Sequence, residues 1–248
     1  MTTTRLFIDD DLRSGQELRL GSEKTRYVGR VLRLRVGDSL AVFNGRDGEF
    51  GATIYTLGRS AAGLLIGERV DSAAESPLKL HLVQGVSRGE RMDFVIQKAT
   101  ELGVKRISAV LTQHGIVRLD ATRAAKRRDH WQSIAESACE QSGRIRPPLI
   151  DPIMDINDWY GARTKETDTD LILRPYAETA LASVTAPATK VCLLIGPEGG
   201  FSDKEYGDAE AAGFAAVSLG PRILRTETAA VAALTIAQTL WGDLGDIT

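Results

Sequence analysis

Two loops contain residues whose types and spacing suit ligand binding. The first, residues 196–202, reads Gly-Pro-Glu-Gly-Gly-Phe-Ser and follows an apolar run at 191–195 that is typical of a buried strand. Ser202 can cap a following helix, and Glu205, three residues later, completes a capping box. A strand, a glycine turn and a capped helix place backbone N–H groups at the carboxyl end of a sheet, where open α/β proteins bind ligands.

An ordinary strand–helix connection explains the first loop equally well, because glycine there need only supply a positive φ. A phosphate-binding P-loop is disfavoured, since no Gly-Lys-Ser/Thr sequence follows the turn. The second loop favours a ligand site. It reads Leu-Gly-Pro-Arg-Ile-Leu-Arg-Thr-Glu-Thr-Ala over residues 219–229, and it adds two arginines and a glutamate, namely Arg222, Arg225 and Glu227.

The composition is that of a globular protein with one large domain or two modest ones. The chain has 248 residues, of which 43% are hydrophobic and 26% are charged. We expect a cytoplasmic protein without a membrane segment, because there is no signal-peptide pattern and no apolar run long enough to span a bilayer. Cys139 and Cys192 are too few for a disulfide framework.

Positive charge is unevenly distributed along the chain. The formal net charge of −2 argues against indiscriminate nucleic-acid binding. Residues 24–35 nevertheless contain five basic side chains and no acid, and a second basic cluster covers 118–128 with Arg144 and Arg146. We therefore expect one electropositive face that could steer a polyanion, although each cluster alone is equally well explained as a solvated surface.

The first 72 residues are predicted to be β-rich. Short runs separated by turn residues predict strands at 5–8, 17–20, 39–43, 49–54 and 63–67. The sequence Asn-Gly-Arg-Asp-Gly at 44–48 predicts a hairpin. Residues 27–34 predict a short helix with Val28, Val31 and Leu32 on one face. Several short strands in so few residues indicate a small barrel or sandwich.

After a linker at 73–77 the pattern changes to strands that alternate with helices, which indicates a parallel α/β sheet. The further strands are predicted at 78–85, 107–111, 170–175, 191–195 and 215–219. Besides the helix capped by Ser202, helices are predicted at 91–102, 123–139, 179–184 and 226–240. The first of these has Phe94, Ala99 and Leu102 near one face and ends at Gly103, and the second carries Trp131, Ile134 and Ala138 inward.

The two loops together resemble those of the RsmE family of SPOUT methyltransferases, which methylate N3 of a uridine in 16S (small-subunit) ribosomal RNA with S-adenosylmethionine. The similarity continues at 97–103 and 131–144, and at 31–33, 37–38 and 42–45 it extends to the family's PUA-like domain. It implies a PUA-like β-barrel RNA-binding domain at 1–73 and an α/β SPOUT domain with a parallel sheet at 74–248. The deep trefoil knot of SPOUT domains is implied by the resemblance alone, because knots are nearly absent from folds.

The resemblance also implies an S-adenosylmethionine pocket made of three loops, at 173–176, 196–200 and 219–225. Backbone amides and carbonyls of such loops can bind adenine and the ribose hydroxyls. The expected cofactor-binding residues are Leu173, Pro175, Ile195, Gly196, Pro197, Gly199, Gly200, Leu219, Gly220, Ile223 and Leu224. No metal is expected, and the histidines, which lack ligand spacing, are given structural roles: His81, His114 and His130.

Methylation at N3 needs a base for the N3 proton and a cation for the charge that develops on the uracil oxygens. Arg225 is the first candidate for the cation and Arg222 the second. Glu198 and Glu227 are candidates for the base or for orienting an arginine. Phosphate positioning or a structural ion pair explains each arginine equally well, and helix capping is an alternative for Glu227.

The implied partners are 16S rRNA within the small ribosomal subunit and a second copy of the chain in a homodimer. The expected RNA-binding residues are Arg5, Arg26, Arg30, Arg33, Arg88, Arg144 and Arg146. One departure concerns the segment before Arg118 and Leu119, where the family often has Ser-Glu-Arg and this chain has Thr112-Gln113-His114. Alternatives are a SPOUT enzyme acting on a ribose 2′-hydroxyl or on tRNA, and an RNA-binding or ribosome-assembly module without catalysis.

Overall fold

The computed structural model describes residues 4–71, 74–115, 119–164, 167–185 and 188–245. The chain divides into two compact units. The first unit contains the described residues up to Glu75 together with Cys139–Arg146, and the second contains Ser76–Ala138 and the described residues from Pro147 onward. The predicted division at 73/74 assigned Cys139–Arg146 to the second domain.

The first unit is built on a five-stranded sheet with the order β1-β3-β4-β5-β2. Its strands are β1 (Arg5–Phe7), β2 (Glu17–Leu20), β3 (Ser39–Phe43), β4 (Glu49–Leu57) and β5 (Ala62–Val70). The predicted hairpin is confirmed, because β3 and β4 pair antiparallel with Phe43 opposite Glu49. Strand β1 pairs parallel to β3, and the other pairings are antiparallel. Alternate aliphatic residues of these strands form the buried core.

The helix predicted at 27–34 is wrong in its bounds. A short helix α1 (Ser22–Arg26) runs into a π-helical turn over Tyr27–Val31, in which the Leu32 N–H donates to the Tyr27 carbonyl at 3.0 Å. The prediction assumed 3.6 residues per turn, whereas this turn is wider. Val28 is therefore buried while Val31 is 64% exposed.

The second unit is a seven-stranded parallel sheet with the order β12-β10-β11-β6-β7-β8, and β9 also pairs with β7. Its strands are β6 (Lys79–Gly85), β7 (Arg106–Leu111), β8 (Leu149–Ile150), β9 (Met154–Asp155), β10 (Thr169–Leu173), β11 (Lys190–Ile195) and β12 (Ala215–Val217). Its helices are α2 (Glu90–Glu101), α3 (Ala121–Ser142), whose last residues belong to the first unit, α4 (Ile156–Ala162), α5 (Asp203–Ala211) and α6 (Thr226–Trp241).

Most elements of the parallel region match their predictions, and four differ from them. The helix predicted at 179–184 is only a 3₁₀ turn, Leu181–Ser183, and β8, β9 and α4 were not predicted. In α2 the buried face is formed by Met92, Val95, Ile96 and Ala99, whereas Phe94 is 43% exposed. Phe94 lies off the stripe that these four residues form at helical spacing, so its placement on the inner face was wrong.

The order of the central strands brings the candidate loops together. Strand β11 lies between β6 and β10, and β12 lies beside β10. Because these strands are parallel, their carboxyl ends at Gly85, Leu173, Ile195 and Val217 meet at one edge of the sheet. In the part of the chain that the structure describes, no helix is both long and apolar enough to cross a membrane. The trefoil knot stays a prediction.

Candidate active site

A cavity of about 560 Å³ lies at this edge of the second unit. Its wall contains all of the residues that were predicted to bind the cofactor or to act in catalysis. Apolar side chains from β10, β11 and the second loop form much of the wall, and the predicted carboxylates and arginines join them. The lining residues that had not been predicted for the site are Arg91, Arg174, Tyr206, Val217, Thr226 and Ala229.

The turn over residues 196–200 is held against the end of β6. The Gly200 N–H donates to the Pro197 carbonyl at 2.9 Å, and Gly200 has a φ of +68°, which favours glycine. A Cβ atom added to Gly85 would lie 2.4 Å from Cδ and 2.6 Å from N of Pro197. Only glycine at position 85 therefore permits this approach between the strand and the turn.

The start of α6 is tied to the same turn by hydrogen bonds. The Thr226 hydroxyl donates to the Gly196 carbonyl at 2.6 Å. The buried Gln84 amide donates to the Thr226 hydroxyl at 3.0 Å, and its Nε2 lies 3.3 Å from the Gly196 carbonyl oxygen. These bonds fix the first loop, the end of β6 and the first residue of α6 in one arrangement.

The predicted capping box at the start of α5 is confirmed. The Ser202 hydroxyl accepts from the Glu205 N–H, and a Glu205 carboxylate oxygen accepts from the Ser202 N–H at 2.8 Å. The other oxygen of Glu205 accepts from the Gln113 N–H, also at 2.8 Å. Glu205 is buried, so a residue predicted from a local motif also anchors the distant loop around Gln113.

Arg222 and Arg225 are exposed at the rim of the cavity. Neither guanidinium group makes a hydrogen bond or an ion pair with any residue that the structure describes. Their positive charge is therefore available to a ligand. The structural ion pair that was an alternative for both arginines is absent among the described residues, so an interaction with anionic or carbonyl oxygen remains as the interpretation.

Arg91, on the first turn of α2, links the two candidate carboxylates. Its Nη1 lies 2.6 Å from Glu198 Oε1, and its Nε lies 3.9 Å from Glu227 Oε1. Glu198 also accepts from the Arg88 N–H at 3.1 Å. Partial burial opposes the ionisation of Glu198, but its own N–H, the Arg88 N–H and the Arg91 guanidinium outweigh burial and lower its pKa.

Glu227 is in a different environment. Its side chain is 17% exposed, and its Oε2 atom is buried and accepts no hydrogen bond from any described residue. Glu227 lies in the first turn of α6 but bonds none of the described N–H groups there, which argues against the capping role considered from the sequence. A buried carboxylate oxygen without a donor is a costly arrangement that an incoming donor relieves.

The loop after β10 is stabilised by Arg174, which was not among the predicted site residues. The Arg174 guanidinium lies 4.7 Å from the centre of the Tyr206 ring and forms an ion pair with Glu210 at 3.3 Å. The Tyr206 hydroxyl lies 3.5 Å from the Leu173 carbonyl oxygen. Arg174 stood in the predicted loop, but its partners lie on α5, and nothing in the local sequence identified them.

Two of the arginines predicted to bind RNA are used inside the first unit. Arg5 forms a two-point ion pair with Glu49, at 3.0 and 2.8 Å, and donates to the Arg144 carbonyl at 3.1 Å. Arg144 is buried and pairs with Glu75 at 3.1 Å. Both side chains therefore stabilise the fold of the first unit, whereas they had been predicted to be exposed RNA contacts. The other predicted arginines are exposed, namely Arg26, Arg30, Arg33, Arg88 and Arg146.

The three histidines make contacts within the fold. Burial lowers the pKa of His81 to about 4, with a smaller effect from Arg106, and His81 Nε2 lies 2.8 Å from the Ser108 hydroxyl. His130 pairs with Asp93 at 3.0 Å. His114 Nδ1 lies 3.2 Å from the Gly199 carbonyl oxygen, at the candidate site. No cluster of metal-ligating side chains occurs within the described ranges, and Arg118 lies outside them.

The cavity has the size and chemistry needed for a nucleoside-like ligand. Its volume falls within the range of roughly 300–1,000 Å³ that small-molecule pockets have. Leu173, Ile195 and Leu224 offer apolar surface, while the glycine turns expose backbone polar groups to it. These residues fit S-adenosylmethionine, because an adenine ring needs apolar walls and ribose hydroxyls need backbone partners.

Comparisons with known proteins agree with this geometry. Residues 74–238 match a family described as the RNA methyltransferase domain, and residues 12–62 match the RNA methyltransferase PUA domain. A ribosomal RNA small subunit methyltransferase E from Buchnera aphidicola subsp. Schizaphis graminum is 36% identical over 97% of each chain.

Two solved structures are similar to this chain over almost its whole length. One is a ribosomal RNA small subunit methyltransferase E from Neisseria gonorrhoeae bound to S-adenosyl methionine, with 38% identity and a TM-score of 0.90. The other is a methyltransferase from Legionella pneumophila in complex with SAM, with 38% identity and a TM-score of 0.91. Each comparison covers 98% of this chain and 100% of the solved chain.

The contact between Gly85 and Pro197 gives a first prediction. Gly85→Ala forces the turn at 196–200 away from β6, and we expect S-adenosylmethionine binding to weaken at least tenfold, about 1.4 kcal/mol, by calorimetry. Gly207→Ala on α5 is the matched control. Its Cβ meets no atom within 4 Å, so it should leave binding unchanged and stabilise the helix by up to about 1 kcal/mol. Unchanged binding by folded Gly85→Ala would contradict the prediction.

Proposed function

The chain belongs to the RsmE family, the ribosomal RNA small subunit methyltransferases E, and we propose that it methylates N3 of a uridine in 16S ribosomal RNA. The proposed methyl donor is S-adenosylmethionine. The observation that carries this proposal is the cavity at the carboxyl edge of the parallel sheet, where three loops meet beside unpaired arginines. Relatives with this name, one of them solved with S-adenosyl methionine, support it.

The chain's residues divide into those that hold the cofactor and those that face the RNA base. We infer that the loops at 173–176, 196–200 and 219–225 bind S-adenosylmethionine, which supplies an electrophilic methyl group when bound. Their backbone groups and apolar side chains fix its position relative to the acceptor nitrogen. Much of the rate enhancement then comes from alignment of donor and acceptor.

Arg225 is our proposed cation for the uracil oxygens, and Arg222 is the proposed phosphate or second uracil contact. Both are exposed at the cavity rim and neither is engaged by a described residue. A guanidinium group close to the base stabilises the negative charge that forms on the carbonyl oxygens when N3 loses its proton. This proposal puts Arg225 at the chemical step and Arg222 in substrate placement.

Arg225→Met tests the function and this role together. With labelled S-adenosylmethionine and small ribosomal subunits that lack the modification, we expect wild-type protein to form 3-methyluridine, identified by nucleoside mass spectrometry. The variant should be slower by about 100-fold, because one preorganised charge at the reacting group is lost. Lys79→Met, at an exposed position at the amino end of β6 and opposite the cavity edge, serves as the control and should keep wild-type activity. Label on a ribose or on tRNA would contradict the proposed substrate.

We further propose that residues 1–73 form a PUA-like RNA-binding domain and that residues 74–248 form the methyltransferase domain. The two family matches support this division, because each falls within one of these ranges.

The exposed arginines of the first unit are the proposed RNA contacts, namely Arg26, Arg30, Arg33 and Arg146. Arg88 belongs to the second unit and is exposed near the cavity residues Arg91 and Glu198. We propose a cytoplasmic location, where small ribosomal subunits are assembled.

Arg30→Met and Arg5→Met should change different properties: the first should weaken RNA binding, and the second should lower the stability of the fold. Arg30→Met is expected to weaken binding of an rRNA fragment and to reduce the salt dependence by about 0.7 for one lost phosphate contact, without loss of stability. Arg5→Met leaves Glu49 buried without its partner and should lower the free energy of unfolding by about 3 kcal/mol, measured with denaturant. A fully stable Arg5→Met protein with weakened RNA binding would show that Arg5 contacts RNA after all.

A homodimer is also proposed, with its interface near the end of α6. Leu240 is 39% exposed and Leu244 is 50% exposed. Leu240 and Trp241 line a depression together with Val184, which gives this surface an apolar character. Apolar side chains gathered at one exposed helix end are typical of a surface that a second copy covers.

Light scattering at micromolar concentration measures the oligomeric state directly. We expect twice the chain mass of 26.8 kDa for the wild type and a shift toward the monomer for Leu240→Glu, because a buried unpaired carboxylate opposes association. Leu149→Glu introduces the same charge at a residue that is 60% exposed on β8 and should leave the mass unchanged. A monomeric wild type would rule out the dimer.

A further inference from the structure

Arg91 connects three elements that are far apart in sequence. It lies on α2, Glu198 lies in the turn after β11, and Glu227 lies on α6. Its guanidinium group is the only charged group in the described ranges that forms an ion pair with either carboxylate. The Arg91 guanidinium therefore lies between two carboxylates and offsets the repulsion between their negative charges.

Glu198 and Glu227 differ in the hydrogen bonds that their carboxylate oxygens accept. Glu198 Oε1 accepts from both Arg91 Nη1 and the Arg88 N–H, so this oxygen is fully engaged. Glu227 Oε1 forms an ion pair with Arg91 but no hydrogen bond, since Arg91 Nε lies 3.9 Å away. Its Oε2 atom is buried and accepts from no described residue. Glu198 Oε1 thus holds Arg91 and the Arg88 N–H, whereas Glu227 offers a buried oxygen that no described donor occupies.

We propose that Glu227 Oε2 accepts the N3 proton of the target uridine and that Arg91 is a positioning residue that orients this carboxylate through its shared contact with Glu198. The inference rests on the proposed function. In this step the N3–H bond breaks, the proton passes to Glu227 Oε2, and the electron pair left on the nitrogen forms the new N–C bond. The methyl group leaves the sulfonium, whose sulfur keeps the C–S electron pair.

Other charged groups near Glu227 fit this division of roles. Arg225 precedes it at the start of α6 and Arg222 lies in the preceding loop, both without described partners. From the elements packed around it come Arg91 on α2 and Glu198 from the turn. Three arginines, Arg91, Arg222 and Arg225, line the cavity with the two carboxylates, and their positive charge favours the uridine anion that forms as the proton leaves.

The same oxygen could instead bind a positively charged group of the cofactor. The two roles differ in what they predict, because a cofactor contact acts on binding and a proton acceptor acts on the chemical step. Binding of S-adenosylhomocysteine, measured by calorimetry without turnover, therefore separates them. Single-turnover rates of 3-methyluridine formation provide the second readout.

Glu227→Gln keeps the size of the side chain and removes its ability to take a proton. We expect its single-turnover rate to fall at least 100-fold. Binding of S-adenosylhomocysteine should stay within threefold of wild type. Glu198→Gln is the matched control at the other carboxylate, and we expect a fall of about tenfold or less.

Arg91→Met should slow the single-turnover rate about tenfold in the wild-type background and have little further effect in the Glu227→Gln background, because Arg91 acts through that carboxylate. Arg91→Lys should restore the rate in part, since it returns the charge without the two-sided geometry. A merely structural role of Arg91 would lower the rate equally in both backgrounds and would contradict the inference.

Two further outcomes overturn the inference. If Glu227→Gln weakens S-adenosylhomocysteine binding as much as it lowers the rate, Glu227 is a cofactor contact. If its rate matches the wild type, another group takes the proton. Wild-type protein that forms no 3-methyluridine would instead refute the proposed function, and the inference with it, so the two failures are distinguishable.

Discussion

The Gly196 carbonyl group is the point on which the candidate site depends. It accepts the Thr226 hydroxyl from the start of α6, and the Gln84 amide from the end of β6 lies within reach of both. Beside it, Pro197 packs against Gly85 at a distance that excludes any side chain at position 85. Three elements from separate parts of the chain are thus fixed together, and the cavity lies between the loops that they carry.

The arginines of this protein fall into two groups: some form ion pairs with carboxylates, and others have no described partner. Their neighbours in the sequence do not distinguish the two groups. Arg5 and Arg144 are buried against carboxylates in the first unit, and Arg91 spans two carboxylates at the cavity. Arg222 and Arg225 remain unpaired among the described residues and exposed. Because an unpaired guanidinium group at a cavity rim gains most when an oxygen-rich ligand arrives, the unpaired arginines mark the ligand side of the site.

Local patterns predicted the loops and the elements that flank them, but not the contacts between distant residues. The capping box of Ser202 and Glu205 is read from four consecutive residues and is confirmed. Arg91 was missed because its two partners lie more than a hundred positions away, and no local spacing encodes them. Val31 was misplaced because periodicity assumes a regular turn, whereas the chain adopts a wider one there.

The departure from the family pattern at His114 is accommodated by the backbone. A Cβ atom at Gly199 would lie 2.9 Å from His114 Cβ and 3.0 Å from its carbonyl oxygen. Those atoms belong to almost any residue at position 114, so the glycine requirement at 199 does not depend on the histidine ring. The ring itself is exposed and only approaches the Gly199 carbonyl. Since Glu205 also anchors this loop through the Gln113 N–H, the turn keeps its position whichever side chain stands at 114.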